Sequence, residues 1–202
     1  MNMRTDHTTP KLAALVLAAG ESARFGGRKQ LADINGVPMI RHTLDRVAAL
    51  PGIECFVVLG AFADEIRPII GSDANIVEND DWASGMGSSI AAGMTAILEQ
   101  DRFDGVLIAL CDQIELATTD YAKLIGTFDG NDIIATRHPD GLGVPAVFPR
   151  ATFDTLAALS GTVGARKILN GPAHHGIGID LPNARFDIDT KNDLKAVLKH
   201  PA

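Results

Sequence analysis

The stretch LVLAAGESARFGGRKQL, Leu15 to Leu31, decides how the chain is read. An apolar run, residues 12–18, passes through Ala19 into Gly20 and then into a polar loop that extends to Val37. A short continuous apolar run closed by glycine has the form of a strand buried on both faces. The loop's spacing excludes two common nucleotide patterns. A P-loop has four residues between its glycines and a Ser or Thr after its Lys; here five residues separate Gly20 from Gly26, and Gln30 follows Lys29. The dinucleotide fingerprint needs glycine two residues after the first, where this chain has Ser22. The chemistry nevertheless suits a phosphate chain. Gly20, Gly26 and Gly27 would let backbone N–H groups approach a ligand, and Ser22 offers a hydroxyl. Arg24, Arg28 and Lys29 set three cations close together. Arginine forks two donors onto phosphate oxygens, and lysine supplies a compact charge. The alternative is a solvated surface loop, but loops this long after a buried strand commonly carry function.

Outward from this loop, strand and helix alternate. Residues 38–50 read as a helix with Pro38 in its first turn, 54–60 as a strand, 63–70 as a short helix interrupted by Pro68, and 74–79 as a strand. Residues 85–100 read as a helix, 105–110 as a strand, and 118–128 as a helix capped by Thr118 or Thr119. Residues 132–136 and 144–149 read as strands, 151–159 and 163–170 as helices, 176–181 and 185–189 as short strands, and 190–200 as a helix capped by Thr190. The alternation predicts an α/β fold with a mostly parallel sheet covered on both faces. In such sheets ligands sit at the carboxyl ends of strands, where the polar segments 19–30, 79–89 and 111–113 fall. No repeat or linker breaks the chain, so one domain over 1–202 is expected, with residues 1–10 a frayed tail.

Bulk composition narrows the classes. Hydrophobic residues make up 46% of the 202 and aromatics only 5%, so an aliphatic core is expected. The formal net charge of -7 argues against a nucleic-acid binder, which needs a basic face. No stretch approaches the ~20 apolar residues of a membrane span, and a soluble cytoplasmic protein is expected. Cys55 and Cys111 lie in apolar runs without metal spacing, as reduced core thiols do.

Three further constellations carry chemistry. Asp112, in CDQ, follows an apolar strand; a carboxylate there holds a hard cation or caps a turn. Asp187 and Asp189, in FDID, would share one strand face and could both serve a metal, or Asp189 could instead support the helix that starts at Thr190. Gly85, Gly87, Ser88 and Ser89 open a helix whose free N–H groups suit either an anion or simple capping and packing; Trp82 and Met86 beside them read as packing. Adjacent His174 and His175 read as a surface turn, not a zinc site.

LAAGESARFGGRKQL, with GMGSSIAAGM, CDQ, GVPAVF, GARKIL and FDIDTKNDL in that order over residues 12–198, resembles the molybdopterin nucleotidyltransferases, especially the molybdenum cofactor cytidylyltransferases. The resemblance implies a Rossmann-like three-layer α/β/α fold and transfer of CMP from CTP to the terminal phosphate of molybdopterin, with Mg²⁺ (or Mn²⁺) and release of pyrophosphate. It implies catalytic roles for Arg24, Lys29 and Asp112, and nucleotide contacts from Leu17, Ala18, Ala19, Gly20, Ser22, Arg24, Lys29, Gly87, Ser88, Ser89 and Asp112. It places Gly143, Pro145 and Arg166 on the acceptor side, and makes Asp112 with Asp187 and Asp189 the metal ligands. The implied partners are CTP or another nucleoside triphosphate, molybdopterin or molybdenum cofactor, and a molybdoenzyme. Three positions depart from the usual patterns: Ala19 stands where guanylyl-transferring relatives carry Gly, Ile114 where many members have Pro, and Thr162 where Asp is usual. A relative using GTP or another phosphorylated acceptor, and a non-catalytic cofactor chaperone, remain alternatives at this level.

Overall fold

The computed structural model describes residues 10–199; the expected tail, apart from Pro10, lies outside them. In chain order the elements are β1 (Leu12–Leu17), β2 (Asp33–Ile34), β3 (Val37–Pro38), α1 (Met39–Ala48), β4 (Ile53–Leu59), α2 (Ala63–Ile70), β5 (Asn75–Glu78), α3 (Met86–Glu99), β6 (Gly105–Leu110), α4 (Thr118–Thr127), β7 (Ile133–His138), β8 (Gly141–Pro149), α5 (Phe153–Ala157), α6 (Arg166–Leu169), β9 (Gly176–Ile179) and α7 (Lys191–Lys199). Seven strands form one sheet in the order β5-β4-β1-β6-β8-β7-β9, and β2 and β3 make a small hairpin inside the long loop. β5, β4, β1 and β6 are mutually parallel, β8 runs against both β6 and β7, and β9 follows β7. The fold is the expected Rossmann-like α/β arrangement, with one reversed strand.

Side-chain alternation along β1 builds the three layers. Leu12, Ala14 and Val16 face Ile40, Leu44 and Val47 of α1, Ile66 and Ile70 of α2, and Tyr121 and Leu124 of α4. Ala13, Leu15 and Leu17 face Ile90, Met94 and Ile97 of α3, Phe153 and Leu156 of α5, and Ile168 and Leu169 of α6. A strand flanked by helices on both sides must be apolar on both faces, and every residue of β1 is buried. Burying one such leucine contributes about 1.5–3 kcal/mol. A third cluster, Phe25, Ile34, Met39, Ile114 and Ile188, lies beyond the sheet and joins the long loop to the segment before α7.

Four details differ from the sequence reading. Residues 185–189 form no strand: Pro182–Arg185 is a 3-10 turn, and the segment after it crosses the sheet's carboxyl edge, held by Ile188 N–H donating to the Asp112 carbonyl at 3.1 Å. α4 is not capped by a threonine hydroxyl; the Asp120 carboxylate accepts from Ala117 N–H at 3.0 Å, and Thr118 Oγ1 donates to the Arg46 carbonyl. α2 runs through Pro68 without a break. The segment at 163–170 is helical only over α6. The Thr190 cap is present: Thr190 Oγ1 accepts from Asp193 N–H while Asp193 Oδ2 accepts from Thr190 N–H at 2.7 Å, a reciprocal capping box.

Candidate active site

Leu17 of β1 is in register with Leu110 of β6, so Ala18–Gly20 and Cys111–Gln113 leave the sheet side by side. The loop then folds as two 3-10 turns, Ala23–Phe25 and Lys29–Leu31, entered through Ser22 and Arg28 in left-handed conformation. Phe25 buries itself in the third cluster and anchors the loop's far side. Gln30, 2% exposed, holds the near side: its Nε2 donates to the Ala18 carbonyl at 2.8 Å and the Gly20 carbonyl at 2.7 Å. The N–H groups of Gly26 and Gly27 do not face a ligand, because both donate to the Ser22 carbonyl. Arg28 also turns away. Its guanidinium pairs with Glu65 at 2.9 Å and lies over the Phe62 ring.

The two remaining cations meet carboxylates. Lys29 Nζ donates to Asp112 Oδ2 at 2.7 Å and stands 3.5 Å from Asp189 Oδ1; Arg24 Nη1 is 3.0 Å from Asp189 Oδ2. Burial alone would lower the Lys29 pKa, but the Asp112 charge, its hydrogen bond, and the more distant Cys111 and Asp189 outweigh burial and raise it. Lys29 is therefore an ammonium at neutral pH. Buried Ile188 turns its neighbours Asp187 and Asp189 to the cavity. Hemmed in by the concave wall and facing Asp112 and Asp189, Asp187 has its pKa raised, in part offset by Gln113 and Lys29. Asp112 Oδ1 is buried without a hydrogen-bond partner. An orphaned carboxylate oxygen beside two more carboxylates is a donor set for a hard cation. Among the described residues no three such groups already close into a cage. A magnesium-type site takes one or two carboxylates and completes its shell with water and substrate phosphates.

Two cavities open along this edge. The larger, about 490 Å³, is lined by the predicted nucleotide residues Leu17, Ala18, Ala19, Gly20, Ser22, Arg24, Lys29, Ser89 and Asp112, and by Asp187 and Asp189. The smaller, about 300 Å³, is lined by Gly143 and Arg166 of the predicted acceptor set, with His138, Gln113 and Asp187. Leu17, Met86, Leu110 and Asp187 border both. Gly87, Ser88 and Pro145 line neither. Gly87 packs so close to the 160–163 loop that a Cβ would lie 2.6 Å from the Ser160 and Val163 carbonyl oxygens, and its N–H donates to the Gly161 carbonyl at 2.8 Å. Ser88 Oγ serves the Asp81 and Gly85 carbonyls, and Pro145 is buried in β8 behind the wall.

Several residues at the site were not singled out from sequence. Asn79, 6% exposed at the end of β5, donates to the hydroxyls of both Ser88 and Ser89 at 2.9 and 3.1 Å and so fixes the start of α3. Gln113, also buried, donates to the Ala184 carbonyl at 3.1 Å, tying β6 to the segment that carries Asp187. His138 reaches the smaller cavity because Gly143 opposite has no Cβ to meet its ring. Trp82 packs against the second core cluster, as expected, and also lines the larger cavity, while Met86, 46% exposed, borders both cavities.

The MobA-like NTP transferase domain matches residues 14–177. A molybdenum cofactor guanylyltransferase of Shewanella putrefaciens is 29% identical over 185 residues, covering 88% of this chain and 91% of its own. A nicotine blue oxidoreductase of Paenarthrobacter nicotinovorans is 33% identical over 122 residues, 59% of this chain and 58% of its own. The solved structure of the Rv0371C complex with manganese from Mycobacterium tuberculosis superposes with a TM-score of 0.73 at 27% identity, covering 94% of this chain and 99% of that one. With a domain match over most of its length and the matching fold, the chain belongs to the MobA-like NTP transferase domain family and is a nucleotidyltransferase.

Proposed function

We propose that the chain transfers a cytidylyl group from CTP to the terminal phosphate of molybdopterin and releases pyrophosphate. One observation carries the reading: the two cavities adjoin across Leu17, Met86, Leu110 and Asp187. A triphosphate in the larger and a phosphorylated acceptor in the smaller would meet beside Asp112 and Asp187. An oxygen of the acceptor phosphate forms a bond to the α-phosphorus while the bond from that phosphorus to the α–β bridging oxygen breaks. Arg24 and Lys29 take up the charge that develops on the departing pyrophosphate, and the two cavity walls fix the approach of the reacting groups. His138 and Arg166 offer donors to the acceptor. Asp112, with Asp187 or Asp189, would hold a divalent cation, Mg²⁺ or Mn²⁺; the manganese complex of the mycobacterial relative supports this. When bound, the cation would neutralise phosphate charge.

The choice of CTP rests on Ala19. Ala19 and Trp82 both line the larger cavity. Alanine at the Ala19 position, where guanylyl-transferring relatives carry Gly, supports CTP over GTP. GTP is the second reading, favoured by the guanylyltransferase name of the Shewanella relative. The test is pyrophosphate release from CTP, GTP, ATP and UTP with purified molybdopterin and Mg²⁺ or Mn²⁺. CTP is expected to be fastest. Turnover with GTP alone would give the second reading, and no turnover with any of the four would refute nucleotidyl transfer to this acceptor.

A further inference from the structure

We propose that Lys29 is a tethered counter-ion that occupies the divalent cation's position in the free protein and yields it when a triphosphate arrives. This rests on the reading that Asp112 and Asp189 serve that cation.

The geometry is that of a bridging cation. One ammonium stands 2.7 Å from Asp112 Oδ2 and 3.5 Å from Asp189 Oδ1, and these carboxylates come from separate segments of the chain. Arg24 takes the other oxygen of Asp189 at 3.0 Å. The two cations that face the cavity are thus both spent on carboxylates that the metal needs. The Lys29 side chain is only 11% exposed, so its ammonium does not swing freely as a surface lysine's does. It nevertheless lines the larger cavity, within reach of a ligand there.

A free divalent cation approaching Asp112, even through the unpaired Oδ1, therefore meets like-charge repulsion at close range from the ammonium already seated on Oδ2. A triphosphate changes the balance. Its negative charges offer Lys29 and Arg24 new partners inside the cavity, and each cation that transfers to phosphate leaves a carboxylate oxygen open. Metal and triphosphate then bind as a coupled pair, each raising the affinity of the other by the same factor. The site would exclude stray metal in the absence of nucleotide.

Lys29→Met removes the charge and keeps much of the length. Manganese binding to the free protein, followed by the electron paramagnetic resonance of the aqueous ion, reads the effect without nucleotide or turnover. K29M is expected to bind Mn²⁺ at least about tenfold more tightly than the unmodified chain, because the uncompensated carboxylate regains a partner. Adding Asp112→Asn to K29M is expected to abolish that gain. Mn²⁺ should also raise the melting temperature of K29M more than that of the parent, a readout that survives if the variant is only marginally stable. Equal or weaker Mn²⁺ binding by K29M, with the parent still binding Mn²⁺ in the presence of a non-hydrolysable CTP analogue, overturns this inference alone. No Mn²⁺ binding by either protein, with or without the analogue, overturns it together with the cation's assignment to Asp112.

Discussion

Replacing Gln30 with methionine keeps the volume of a buried side chain and deletes the amide that holds the signature loop. Three hydrogen bonds go: two donated to the carbonyls of Ala18 and Gly20 at 2.8 and 2.7 Å, and a long one accepted from Ser22 Oγ at 3.5 Å. Their costs differ. Ala18 is 2% exposed, so its carbonyl loses its partner inside the protein, at about 1–3 kcal/mol. Gly20 is exposed, its carbonyl can turn to water, and the net loss there is about 0.5–1.5 kcal/mol. The loss at the two carbonyls should therefore destabilise the variant by about 1.5–4.5 kcal/mol, or roughly 3–18 °C in melting temperature for a chain of this size. The freed carbonyls also loosen Ala18–Gly20, which line the larger cavity. Nucleotide affinity should fall about tenfold or more, the entropic cost of ordering the loop on binding. Trp82, the single tryptophan, lines the same cavity and reports binding by its fluorescence, while urea unfolding gives the stability. A variant that loses the expected stability but binds CTP within twofold of the parent would refute the argument that Gln30 organises the loop.

Ala19→Gly, which installs the residue that guanylyl-transferring relatives carry, should raise the GTP-to-CTP preference at least about fivefold, measured as relative kcat/KM; an unchanged ratio removes Ala19 from base selection. Gly87→Ala should cost about 1–3 kcal/mol in urea unfolding, since the added methyl meets backbone oxygens of Ser160 and Val163 that cannot rotate aside, and a neutral result would mean the 160–163 loop yields easily. Burial pushes the Cys111 thiol to about 12 and, with help from Glu54, the Cys55 thiol to about 11. In the unfolded chain both ionise near the ordinary value of about 8.5, so their contribution to stability is intact below that pH and is lost as pH rises through the folded values. Iodoacetamide at pH 8.5 should accordingly label the urea-unfolded protein rapidly and the native protein hardly at all; fast native labelling of Cys111 would contradict its burial.

The central part of the fold was legible because buried parallel strands announce themselves as apolar runs, and β1, β4 and β6 are such runs. The direction of β8 was not. GLGVPAVFP reads the same whichever way the strand is laid, and only its pairing with β6 and β7 orients it. FDID alternates as a strand does, yet Ile188 is buried in the small third cluster and not in the sheet, so the same alternation sends both aspartates to the cavity without any strand. The acidic and basic residues of the site stood out by type. Gln30, Asn79 and Gln113 did not, because what makes them matter is which backbone carbonyl or hydroxyl each reaches across the fold. Arg28 shows the converse: its type and spacing matched its neighbours, but Glu65 and Phe62 lie on its side of the loop.

The reversal of β8 has a wider consequence. Because β8 runs against β6, it is the beginning of β8, Gly141–Val144, and the turn from β7 that border the smaller cavity. The larger cavity is lined from Leu17 through Asp112, with Asp187 and Asp189 the later exceptions. The smaller cavity also draws Leu17, Met86, Ile90, Ile108, Leu110 and Gln113 from the earlier part of the chain, so the region from His138 onward supplies one wall of it. A hairpin tip tolerates changes of length and composition better than a buried parallel strand does. Changes at the tip between His138 and Gly143 can therefore reshape that wall while leaving the lining of the larger cavity intact.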